Sequence, residues 1–77
     1  MMLEITETAA EIVFAETGHM NLNERLRFTA GPSGHLDISL SRPALDDQSV
    51  EISLGGITLA PEEVAVLREW LNRIPGR

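Results

Sequence analysis

The chain contains no cysteine, no lysine and no tyrosine in 77 residues, and its aromatic content is two phenylalanines and one tryptophan. Without cysteine there are no disulfides, thiolate metal sites, cysteine nucleophiles or thiolate-held clusters. The lack of lysine removes Schiff-base chemistry and the phosphate-loop lysine. No apolar run reaches the roughly 20 residues of a membrane-spanning helix, and the N-terminal stretch lacks the basic flank and apolar block of a signal peptide. These features predict a cytoplasmic protein with no role at a membrane.

Basic residues are also scarce. Six arginines face twelve acidic residues for a net charge of −6. Glu4, Glu7, Glu11, Glu16 and Glu24 precede the first arginine, Arg25, and Arg42 is the sole basic residue between Arg27 and Arg68. Direct binding to a nucleic-acid backbone needs a basic stripe, so that class is excluded. A chain of this length makes one domain, 1–77, near the size at which a single core supplies only roughly 3–5 kcal/mol of net stability. Self-association therefore stays open.

What the chain does have is period. Leu26 and Phe28 alternate with Arg25, Arg27 and Thr29, and Leu36, Ile38 and Leu40 alternate with Asp37, Ser39 and Ser41. Between them Pro32-Ser33-Gly34 suits a three-residue hairpin loop, with proline at the first turn position and glycine in the left-handed one. Both apolar sets sit at even positions, so an odd loop keeps them on one face and sets Phe28 opposite Ile38 and Leu26 opposite Leu40. After a longer connection with Pro43, Asp46 and Asp47, Val50, Ile52 and Leu54 resume at even positions, which predicts Leu40 opposite Val50 and Ile38 opposite Ile52. Ile57 and Leu59 then switch to odd positions. Gly55-Gly56 between them reads as a two-residue turn that absorbs the switch, placing Ile52 opposite Leu59.

From Pro61 the period turns helical. Val64, Leu67, Leu71 and Ile74 form one stripe flanked by Val66 and Trp70, with Glu62 and Glu63 in the first turn and Pro75-Gly76 as the stop. Leu67 and Leu71 are the expected anchors on the sheet. At the other end, Leu3 and Ile5 suggest a short strand. Thr8-x-x-Glu11 resembles a capping box for a helix through Glu16 with Gly18 as its stop, and the alternative is a strand in which Ile12 and Phe14 alternate with Glu11, Val13 and Ala15. Residues 17–24 read as a loop. The expected fold class is α+β: an antiparallel meander of four strands, five if residues 8–16 are extended, with a C-terminal amphipathic helix packed on one face in two layers.

Little of this carries chemistry. Ser33 and His35 share a short loop, but a nucleophile elbow needs a strand-to-helix turn that the hairpin does not provide. His19, His35 and Asp37 match no metal-ligand spacing, and Asp46-Asp47 with Glu51 lacks the alternating ligands of a calcium loop. No cofactor or metal is expected, and no enzymatic activity. The segment Ile5-Thr6-Glu7-Thr8-Ala9-Ala10-Glu11-Ile12-Val13, with the strand-rich middle, resembles the opening of A-type iron–sulfur carriers. Those proteins hold their cluster through cysteines, so the resemblance does not bring the activity with it. The expected function is a non-enzymatic acidic protein-binding module: Asp46, Asp47, Glu62, Glu63, Glu7 and Glu11 would dock on a basic surface of a partner protein, in the manner of small inhibitors such as phage anti-defence proteins. The alternative is a structural domain that forms homodimers or larger homo-oligomers, and a small enzyme or carrier ranks behind both.

Overall fold

The computed structural model describes residues 2–17 and 23–75. Five strands, β1 (Met2–Glu7), β2 (Glu11–Thr17), β3 (Arg25–Ala30), β4 (Leu36–Pro43) and β5 (Glu51–Leu59), form one antiparallel sheet in the order β1-β2-β3-β4-β5, and the helix α1 (Pro61–Arg73) follows. This is the expected α+β meander in its five-stranded form, with the helix packed against the sheet at β5. Among the described residues no helix is long and apolar enough to cross a membrane.

The central hairpin forms in the expected register. Phe28 faces Ile38 and Leu26 faces Leu40. Gly31 donates its N–H to the His35 carbonyl at 2.8 Å, closing the Pro32-Ser33-Gly34 loop, and Gly34 takes φ 89° where a Cβ would be strained.

Two expectations about the strands need correction. First, residues 11–17 are strand, not helix. The Thr8 hydroxyl does accept backbone N–H groups, from Glu11 at 3.1 Å and Ala10 at 3.4 Å, as a helix cap would. Thr8 N–H also donates to the Glu11 carbonyl at 2.8 Å, however, and together these bonds close a tight β1–β2 turn. The same local side-chain bond serves either a helix start or a turn. The alternation of Ile12 and Phe14 against partners on both sides decides between them, because β2 pairs with β1 and β3 at once. The expected helix stop at Gly18 and most of the 17–24 loop lie outside the described residues.

Second, Gly55-Gly56 is not a hairpin turn. β5 runs through it as one strand: Ile38 pairs with Ile57, Leu40 with Gly55, Ser41 with Ser53 and Arg42 with Ile52, so Leu54 is an extra residue in a bulge. One inserted residue changes parity as well as an even loop does, so Val50, Ile52, Ile57 and Leu59 still share a face. Continuing β5 gives every residue of β4 from Leu36 to Pro43 a partner, whereas a turn at Gly55 would end that pairing halfway. The glycines suit the bulge. Gly55 sits at φ 146°, and a Cβ on Gly56 would lie 2.9 Å from the Ile38 carbonyl oxygen.

α1 begins as expected for its sequence: Pro61 occupies the first turn, and Glu63 Oε1 accepts the Ala60 N–H at 2.8 Å. Its placement differs from the expectation that it would roof the apolar face. Val64 and Leu67 are half-buried, but Leu71, expected as an anchor, is exposed, as are Val66, Trp70 and Ile74. Ile57, in the very strand the helix follows, is 61% exposed, so α1 lies beside the face and does not cover it. Among the described residues Pro43 and Ala44 are the sole buried apolar residues, and no large side chain is fully enclosed.

Candidate interaction surface

Strand alternation sorts the sheet into two unlike faces. On the polar face Arg27 Nε lies 3.3 Å from Glu11 Oε2 and its Nη1 3.4 Å from Glu51 Oε1, while Arg25 Nη1 lies 3.2 Å from Glu51 Oε2. Thr29 donates to Glu11 at 3.4 Å, and Thr58 donates to Asp37 Oδ1 at 2.6 Å. These are cross-strand ladders that compensate charge within the chain. Partial burial pushes the Glu51 carboxyl up, but the Ser41 and Arg25 hydrogen bonds and the Arg27 charge outweigh it and hold Glu51 below the ordinary carboxylate value.

A lowered folded-state pKa stabilises the fold above the ordinary carboxylate range and ceases to do so as pH falls through the folded value. Thermal stability should therefore fall on acidification below about pH 5, and Glu51→Gln should flatten that slope. Because the Glu51 side chain is more than a third exposed, its share is under about 1 kcal/mol. A melting-temperature profile from pH 3 to 7 that is the same for both chains would show that Glu51 has no such role.

The opposite face is apolar. Its cross-strand rows read Ile5, Phe14, Leu26, Leu40, then Glu7, Ile12, Phe28, Ile38, Ile57, then Ala30, Leu36, Leu59, so in these rows a single carboxylate, Glu7 on the edge strand β1, interrupts the apolar side chains. The Phe14 and Phe28 rings meet edge to face, with centroids 6.0 Å apart and planes at 89°. This face is open to water: Leu3 is 61% and Ile5 57% exposed, and Leu40, Leu54, Ile52 and Val50 are exposed as well. Two shallow hollows mark it, one of about 220 Å³ bordered by Leu3, Phe14, Leu26 and Leu40 with Glu16 and Glu24 at its rim, the other of about 230 Å³ beside Ile12, Phe28 and Leu36 with Glu7 and Glu11 at its rim.

The six acidic residues expected to form a docking site do not make one patch. The meander puts Glu7 and Glu11, at the β1–β2 turn, and Glu62 and Glu63, at the start of α1, at one end of the sheet but at opposite edges. Asp46 and Asp47 lie at the other end, in the β4–β5 connection. Three of the six serve the fold itself. Glu11 pairs with Arg27 and Glu63 caps α1. Asp47 Oδ1 accepts the Ser49 hydroxyl at 2.6 Å and the Ser49 N–H at 3.0 Å, and these bonds hold the Asp47 carboxyl below its ordinary value.

Ser33 Oγ and His35 Nδ1 are 2.8 Å apart on an exposed loop tip, while Asp37 is engaged by Thr58 on the polar face. The pair thus belongs to a turn and stands in no cleft. Among the described residues no three potential metal-ligating side chains come together, and His19 lies outside them. Comparison of the chain with protein-family models, curated proteins and solved structures finds no match. The open apolar face is the feature that sequence reading missed. The alternation of the strands identifies its residues, but the amphipathic period of α1 points to a helix that covers them.

Proposed function

We infer that the chain is a non-enzymatic, cytoplasmic protein-interaction module whose working surface is the apolar face of the sheet. The observation that carries this reading is the exposure of Leu3 and Ile5 on β1 and of Ile57 on β5, the two edges of one face whose central side chains Phe14, Leu26, Phe28 and Ile38 are only half-buried. Apolar side chains left in water in this way forfeit about 25 cal/mol for every Å² that an associating surface would cover. A contiguous patch of this kind marks an interaction site more often than scattered exposed residues do. The acidic-docking mode has less support, because its six carboxylates are spread over both ends of the sheet and three are engaged internally. They serve better as solubilising charge around an apolar interface.

Carbene footprinting at increasing protein concentration, and in cell extract, tests the assignment. Labelling of Leu3, Ile5 and Ile57 should fall as the surface becomes occupied, while Arg25 and Arg27 on the polar face stay reactive. Constant labelling of the three apolar residues, with protection at Asp46, Asp47, Glu62 and Glu63, would overturn it in favour of acidic docking.

A further inference from the structure

We propose that the occupant of the apolar face is a second copy of the same chain, stacked face to face about a two-fold axis that runs along β3. The proposal rests on the apolar face being the working surface and adds the identity of what covers it.

The first support is area. A folded monomer of 8.5 kDa exposes about 4,650 Å² by the size scaling of monomeric proteins, whereas this chain exposes 5832 Å². The excess, about 1,200 Å² per chain, amounts to about 2,400 Å² for a pair, within the range of obligate homodimers. Its shape agrees. The radius of gyration is 14.3 Å against about 11.5 Å for a compact chain of this length, and the extents are 40 × 30 × 21 Å. The chain has the proportions of one half of a sandwich, and two such sheets pack face to face about 10 Å apart.

The second support is charge, in the row at the end of the apolar face that includes Leu3. Following the register, Leu3 pairs with Glu16, Glu16 N–H donates to the Glu24 carbonyl at 2.9 Å, and Arg42 pairs with Ile52; Glu24, one residue before the Arg25–Ser41 pair, falls opposite Arg42. The row therefore reads Leu3, Glu16, Glu24, Arg42, Ile52 from β1 to β5. Rotation about β3 lays β2 of one copy over β4 of the other and β1 over β5. Glu16 then meets Arg42 of the second copy, twice by symmetry, and Leu3 meets Ile52. Glu24 approaches its own symmetry mate on the axis, with an arginine from each copy beside it. In the next two rows all side chains on β2, β3 and β4 are apolar, and Glu7, at the β1 end of the second of them, lies over Ile57 of the other copy at the rim of the interface, where its carboxylate keeps contact with water. The charged ladder of Glu11, Arg25, Arg27 and Glu51 stays in water on the outside. Such an interface is isologous, closes after two copies, and carries its own register in the Glu16–Arg42 contacts.

Sedimentation equilibrium of the full chain, with circular dichroism to confirm folding, tests both levels. The wild type should sediment at twice the chain mass at micromolar concentration. Ile57→Glu places its charge where the isolated chain is already open to water, so it should fold and sediment as a monomer. Glu16→Arg and Arg42→Glu should each weaken the dimer at least tenfold, and the double exchange Glu16→Arg with Arg42→Glu should restore most of the loss. A dimer in which the double exchange is no better than the single variants would overturn the two-fold arrangement. A monomeric wild type that binds an apolar dye through Ile57 would overturn the second copy and leave the apolar surface standing. A dimer indifferent to Ile57→Glu would overturn both.

Discussion

Phe28→Ala should lower the melting temperature by on the order of 15 °C, more than any other single truncation on the sheet. Phe28 stands in the central strand between Ile12 and Ile38, and its ring meets Phe14 edge to face. Truncating a fully enclosed phenylalanine costs about 3–5 kcal/mol. This ring is only half-buried, so about 2–3 kcal/mol is expected, with each kcal/mol worth about 4–8 °C in a domain of this size. Against the roughly 3–5 kcal/mol available to so small a core, that leaves a sizeable unfolded population at growth temperature. Phe28→Leu, which keeps most of the apolar volume, should lose less than half as much. Thermal melts followed by circular dichroism give the comparison, and a shift of under about 3 °C for Phe28→Ala would show that the central rows contribute little.

Gly56→Ala should be nearly as damaging, through the backbone and not through lost apolar contact. The added Cβ would sit 2.9 Å from the Ile38 carbonyl oxygen, which is main chain and cannot swing aside, so β4 and β5 must separate locally. Overpacking of this sort costs about 1–3 kcal/mol. Gly55→Ala should cost a similar amount for a different reason, since its Cβ meets no atom within 4 Å but φ 146° disfavours any side chain. Hydrogen exchange separates this loss from general unfolding. In Gly56→Ala the amides of residues 57–59 should lose protection first while those of the β1–β2 hairpin keep theirs. Uniform loss across all five strands would show that the bulge is not a local element.

Much of this molecule is written plainly in the order of its residues. The β3–β4 register follows from Pro32-Ser33-Gly34 and the even positions of Phe28 and Ile38, because turn geometry and side-chain parity act on the same few bonds. The limits of α1 follow from Pro61 and Pro75 in the same way. Gly55-Gly56 is harder, since a bulge and a two-residue turn satisfy the same parity, and the choice depends on the length of β4, an eight-residue strand that is adjacent in space but remote in sequence. Thr8 is ambiguous for a related reason: its hydroxyl finds nearby N–H groups in a turn and in a helix start alike. The uncovered face could not be read at all. Residue patterns report which side chains avoid water, but not whether the chain's own helix or a second molecule provides the cover.

Every strand in the sheet is bonded only to its neighbours in sequence, and this has a kinetic consequence. No pairing has to wait for a distant segment to arrive, so loop-closure entropy is spent in small steps and hairpins can form in any order. The chain should therefore fold quickly for a β-rich domain. Whatever covers its apolar face arrives afterwards, so the slow step in reaching the finished state should depend on concentration while the appearance of secondary structure does not.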